Sequence, residues 1–236
     1  MGNLQNAVAG YSTQPRLAGE FFSKLSPQAL KDLGAMALPL SYPAGRILFS
    51  EKDPVPGIYI VLEGEVKLSM NSSDGRRLIL RIAKKGEILG LASALSGKPC
   101  EMTAETLYPA KVAPVERREF LGFLGRHPEV YQTVTEELSR DYTMACEQLR
   151  TVGLSGSAPE KLARLLLDWS ENGQTTDGGT RFRCPLTHGE IGEFIGASRE
   201  TVTRTMSAFK TRRLVAFSGS TLTIPSKSAL ESYAHC

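Results

Sequence analysis

Leu186-Thr187-His188-Gly189-Glu190-Ile191-Gly192-Glu193-Phe194-Ile195-Gly196-Ala197-Ser198-Arg199-Glu200-Thr201-Val202-Thr203-Arg204 decides how this chain is read. Thr187 and Glu190 stand at capping-box spacing, where a hydroxyl and a carboxylate satisfy N–H groups left unpaired at a helix start. Ile191, Phe194 and Ile195 recur at helical spacing, and Gly196 falls where a residue able to take positive φ would end the helix. Ser198 predicts the N-cap of a second helix, whose apolar positions Val202, Met206 and Phe209 recur along one face. The stretch therefore spells two short helices joined by a glycine turn and packed through their apolar faces.

The polar face of the second helix carries Arg199, Glu200, Thr203 and Arg204, the first two in its opening turn. That turn is where a helix lying in the major groove meets base edges. Arginine can fork onto the O6 and N7 of guanine, and a carboxylate can accept from the amino group of cytosine. From Gly196 to Arg213 five cations (Arg199, Arg204, Lys210, Arg212, Arg213) stand against one anion, Glu200, whereas the whole chain carries only +3. The local field favours phosphate.

Leu186 to Arg204 resembles the DNA-binding helix pair of the Crp/Fnr family of bacterial transcription regulators. Ser198-Arg199-Glu200-Thr201-Val202-x-Arg204 is similar to the recognition helix of the catabolite activator branch. Leu214 to Ile224 continues the likeness as two short strands about Ser218-Gly219-Ser220, the wing of a winged helix. The resemblance implies that Arg199, Glu200 and Arg204 touch bases of a TGTGA-like half-site, with Thr187, Ser198 and Thr201 on phosphates and Thr203 on the same exposed face. It implies partners as well: a second copy of the chain in a homodimer, a palindromic double-stranded operator, and RNA polymerase.

At 236 residues the chain can bury two cores of ordinary size. No apolar run approaches the roughly 20 residues that cross a bilayer, and Met1 to Gln14 shows no basic-then-apolar signal pattern, so no membrane partner and a cytoplasmic location are expected. Cys100, Cys146, Cys184 and Cys236 are scattered without C-x-x-C spacing, so neither a zinc site nor a disulfide framework is expected.

The pattern along the chain divides it into a flexible N-terminus (1–18), an effector-sensing β-roll domain (19–126), a dimerisation helix (127–153) and a winged helix-turn-helix domain (154–236). Ser26-Pro27 starts a short helix with Leu30, Leu33 and Met36 on one face. From Pro43 to Val115, strand-like runs (Arg46–Phe49, Gly57–Leu62, Glu65–Met70, Leu78–Ile82, Ala110–Val115) alternate with turns such as Glu63-Gly64 and Asp74-Gly75, which predicts an antiparallel sandwich or barrel. The same stretch resembles the family's cyclic-nucleotide-binding-like β-roll, a jelly roll, through Tyr59 to Val66 and Gly86 to Gly90. Val130, Val134, Leu138, Tyr142, Ala145, Leu149 and Val152 mark a helix from about Pro128 to Val152. Its apolar stripe is narrow enough to pair in part with a second copy, and packing on the β-domain can occupy another face. Gly153 to Ser157 reads as a hinge, and Ser157 with Glu160 as a second capping box. The fold class is α+β.

In the family's cyclic-AMP-binding branch a Gly-Glu pair, an Arg-Ser pair and hydroxyls of the long helix hold the ribose and phosphate. Those positions correspond to Gly90-Leu91, Cys100-Glu101, and Ala145 and Cys146, with Tyr142 nearby on the helix. Glu101 where a phosphate expects arginine puts like charge against like, and no arginine falls between Lys84 and Arg117. Cyclic AMP held in the usual way is therefore not expected, no cofactor is implied, and the small-molecule effector stays unnamed. The first cysteine is Cys100 and the β-region holds no histidine, which removes an N-terminal iron-sulfur cluster and a histidine-ligated haem or metal. Cys100 and Cys146 are read as buried thiols, with a redox switch as the alternative. An enzyme of the metal-binding β-barrel type lacks its histidine-carboxylate cluster. A nucleotide-binding module acting on a partner protein without DNA leaves the Arg199, Glu200 and Arg204 face unexplained.

Overall fold

Strand runs and tight corners build the first half of the chain. The computed structural model describes residues 17–234 except 55, 155 and 185. Its strands β1 (Leu40–Tyr42), β2 (Ile47–Phe49), β3 (Gly57–Glu63), β4 (Val66–Asn71), β5 (Arg77–Ala83), β6 (Ile88–Leu89), β7 (Thr103–Thr106) and β8 (Ala110–Glu116) form two antiparallel sheets. Their orders are β1-β8-β3-β6 and β2-β7-β4-β5. The corner between β3 and β4 requires glycine: Gly64 has φ 85°, and a Cβ there would lie 2.8 Å from the Ala110 side chain. The strand period of two gives β3 two buried faces. Tyr59 and Val61 join Phe49, Val66, Leu68 and Leu89 in one core. Ile58 and Ile60 pack in another, against helices.

Those helices are α1 (Glu20–Ser23), α2 (Pro27–Met36), α3 (Leu91–Ser96), α4 (Arg117–Arg126) and the start of α5 (Val130–Gly153). Ser26 caps α2 by accepting from the Ala29 N–H, as its sequence predicts. Leu17, 8% exposed, belongs to this core. The loosely attached segment expected through residue 18 is thus corrected at its inner end, where an apolar side chain finds a packing site. The rest of that segment, residues 1–16, lies outside the described residues.

On α5 the apolar stripe divides. Val130 and Val134 are buried against the first half of the chain, whereas Tyr142 and Leu149 are 73% and 64% exposed. The helix is thus core-facing at its start, and toward its end the face that carries Tyr142 and Leu149 is exposed. No helix among the described residues is long and apolar enough to cross a membrane.

The second half follows as α6 (Ala158–Ser170), β9 (Gln174–Thr176), β10 (Gly179–Arg183), α7 (His188–Ile195), α8 (Arg199–Thr211), β11 (Ala216–Ser218), β12 (Thr221–Ile224) and α9 (Lys227–Ala234). Ser157 and Glu160 close their capping box at the head of α6. Strands β11-β12-β10-β9 form a third antiparallel sheet, and α6, α7 and α8 close on Leu162, Leu166, Ile191, Ile195, Val202, Met206 and Phe209.

A polar joint ties the halves together. Lys67 on β4, with its side chain 4% exposed, reaches Glu190 on α7 at 2.7 Å and Glu105 on β7 at 3.4 Å. Arg77 pairs with Glu105 at 2.8 Å and approaches Glu193 at 3.5 Å. The buried Gln148 amide donates to the Ile79 carbonyl at 2.9 Å and the Phe194 carbonyl at 2.7 Å, so one side chain of α5 holds β5 and α7 at once. Lys161 donates to the Val152 carbonyl at 2.7 Å, placing a cation on the C-terminal end of α5.

Candidate DNA interface and sensor cavity

The helix pair forms from the local signals in its sequence. Thr187 accepts from the Glu190 N–H at 3.3 Å while Glu190 accepts from the Thr187 N–H at 3.0 Å. Gly196 closes α7 at φ 67°, and Ser198 opens α8 by accepting from the Thr201 N–H at 3.2 Å. With Val202, Met206 and Phe209 buried beneath it, α8 presents Arg199, Glu200, Thr203 and Arg204 as exposed side chains. Neither arginine enters an ion pair among the described residues, so both guanidinium forks are available. The Glu200 carboxyl is held below its ordinary value, first by its own backbone N–H at the helix start and then by the Ser198 hydroxyl, so it is an ionised acceptor at neutral pH.

The hydroxyls of the expected interface are already engaged. Thr203 donates to the Arg199 carbonyl at 2.9 Å and meets His188 Nδ1 at 3.0 Å. Thr187 donates to Glu190 at 2.9 Å, and Ser198 and Thr201 share a contact at 3.2 Å. They orient the two helix starts, and any phosphate contact would have to share them. His188 was not anticipated: it reaches from α7 to α8 across fifteen positions, a separation with no local sequence signal. The wing follows with Gly219 at φ 60° between β11 and β12.

A second feature lies between the roll and α5, a cavity of about 330 Å³. Gly90, Leu91, Glu101, Tyr142 and Ala145 meet on its walls. Cys100 and Cys146, expected beside them, are not among the lining side chains. Cys100 is 4% exposed, and burial pushes its thiol above the ordinary range, which leaves little thiolate at neutral pH. Cys146 is half-buried on α5.

Sequence reasoning missed Arg81 and Asp141, which both line the cavity. The guanidinium contacts Asp141 at 3.0 Å and also Glu87. Burial pushes the Asp141 carboxyl above its ordinary value, with Arg81 working against that shift. The absence of arginine between Lys84 and Arg117 holds for that stretch of chain, but the cavity also draws on β5, which precedes it. An arginine inside the otherwise apolar run Leu78–Ile82 was the available signal, because a charge in a half-buried strand needs a partner.

A capped helix pair with a wing, joined through a long helix to a β-roll with its own cavity, defines a winged helix-turn-helix DNA-binding protein with a second, ligand-sized compartment. Residues 39–127 match the cyclic nucleotide-binding domain family and residues 160–233 the Crp-like helix-turn-helix domain family. The chain is 26% identical over 204 residues to the CRP-like cAMP-activated global transcriptional regulator of Mycobacterium tuberculosis, covering 86% of this chain and 91% of that protein. It is 28% identical over 195 residues to the nitrogen fixation regulation protein FixK of Bradyrhizobium diazoefficiens, covering 82% and 81% respectively. The solved structure of FixK2 from Bradyrhizobium japonicum matches with a TM-score of 0.74 over 85% of this chain and 98% of that one, a likeness of fold at 24% identity. The chain belongs to the Crp/Fnr family and is a DNA-binding transcription regulator of that type.

Proposed function

We propose that this regulator binds a palindromic operator as a homodimer, with a signal taken up in the β-roll cavity setting the pose of its DNA-reading helices. The observation that carries this reading is the start of α8, where Arg199 and Arg204 stand exposed and without ion-pair partners on a helix whose opposite face is locked into the core. Arg199, Glu200 and Arg204 would read bases, Thr187, Ser198 and Thr201 would fix the helix starts against phosphates, and Thr203 would lie on the same DNA-facing side. Tyr142 and Leu149, exposed on α5, supply an apolar face for a second copy. Two-fold symmetry then sets two α8 helices roughly one DNA turn apart. RNA polymerase is the further partner that such an operator complex would engage.

The signal is not cyclic AMP held as in the family's cyclic-AMP-binding branch. Leu91 and Glu101 occupy the cavity wall where a carboxylate for the ribose and an arginine for the phosphate would be needed. Selection of bound fragments from random DNA, followed by gel shifts at two salt concentrations, tests the whole reading. Two inverted half-sites and a steep fall in affinity with salt are expected. A single asymmetric site, or no shift at low salt, would overturn it.

A further inference from the structure

We infer that the cavity between the roll and α5 takes an uncharged, predominantly apolar small molecule. This rests on reading the cavity as the sensor site and adds the chemical class of its occupant. Phe49, Leu68, Leu89, Leu138 and Met144 give the walls a hydrocarbon and thioether surface. A volume of about 330 Å³ lies in the range of small-molecule sites and has room for a bicyclic aromatic ring system.

The charged groups exclude the alternatives. Arg81, Asp141 and the exposed Glu101 line the space, and Arg81 is already held by Asp141 and by Glu87, so the one lining cation is committed and the lining carboxylates outnumber it. A phosphate or carboxylate ligand would meet that negative excess and would have to displace an existing partner of Arg81. A cation would give up water among apolar walls while Asp141 stays committed to Arg81, and the remaining lining carboxylate, Glu101, is solvent-exposed and screened. An uncharged ligand gains from burial and can address the Tyr142 hydroxyl or the edge of the Arg81–Asp141 pair without breaking it. Leu80, Arg81 and Met144 also border a smaller space of about 190 Å³ that reaches Gln148, Leu165 and Phe194. The same three side chains thus stand between the cavity and the joint that holds α7.

Calorimetric titration of the full chain with 1-naphthylmethanol, 1-naphthoate and 1-naphthylmethylammonium compares three charges on one ring system. The alcohol is expected to bind one site per chain, roughly tenfold tighter than either ion. Ala145→Phe, at the exposed mouth of the cavity, should weaken the alcohol by roughly tenfold with an unchanged circular dichroism spectrum. Leu138→Phe, which fills the space from further inside, serves if that variant folds poorly. Tighter binding of either ion, no uptake of the alcohol, or uptake indifferent to both variants would overturn the inference. Gel shifts on the same preparations separate the two readings: palindrome binding retained without alcohol uptake removes only the ligand class, whereas loss of palindrome binding by the unmodified chain removes the proposed function.

Discussion

In the proposed operator complex, Arg199 and Arg204 would do different work from the hydroxyls around them. A guanidinium free of protein partners can spend both forks on one guanine, and a wrong base leaves those donors unsatisfied, so the cost of its loss depends on sequence. Arg199→Ala or Arg204→Ala should cost about 1–3 kcal/mol of discrimination at one base pair per half-site. Thr201→Ala should weaken every sequence by a similar factor. Competition gel shifts against single-base operator variants check both; equal loss on specific and random DNA for the arginine variants would show that they clamp phosphates. Thr203 is a weaker candidate for reading bases, because its hydroxyl is shared between the Arg199 carbonyl and His188.

At the scale of elements, what could be read beforehand was whatever carried its own period or cap. The start of α7 and of α8, the capping box of α6 and the length of α5 were legible because each rests on residues within a turn or two of one another. Helix α4 was not singled out: Gly122 and Gly125 interrupt it, and only burial of Phe120, Phe123 and Leu124 against the roll makes it worth forming. The β9 hairpin arm was equally silent, since all its residues are exposed and polar. Within the cavity, Gly90, Leu91, Glu101, Tyr142 and Ala145 were legible by resemblance, whereas Asp141 was not and Arg81 came from another strand altogether. The exposed half of α5 makes its own prediction. Leu149→Glu should leave each chain folded, because that side chain is 64% exposed, yet put like charges together in a symmetric pair. Sedimentation should then report monomer, with palindrome binding lost; an unchanged dimer would move the contact elsewhere.

Across the whole molecule, the joint between roll and winged helix is the part with no sequence signature, as its partners lie up to 123 positions apart. Lys67→Ala would leave Glu190 and Glu105 facing each other in a half-buried setting and should cost about 1–3 kcal/mol, seen as faster amide exchange in α7. Exchange confined to global unfolding would show instead that the joint adds no local stability. Acid should act in the same place. Burial pushes the Glu190 carboxyl up, but hydrogen bonds from Lys67 and from the Thr187 backbone and hydroxyl outweigh it and leave it below its ordinary 4.5. A carboxyl lowered in the folded state contributes stability that is full above its unfolded value and disappears as pH falls through the lowered one. Protection of α7 should therefore hold at neutral pH and drop below about pH 4, where the exchange profile of Glu190→Gln should already be flat.

Glu190 answers to two masters, the first turn of its own helix and a lysine on a distant strand. A shorter acid could not span both distances, and an amide would keep the turn while surrendering the charge that neutralises Lys67. This position therefore has little room to vary, and the grip of the sensing half on the reading half is easier to retune from the lysine end.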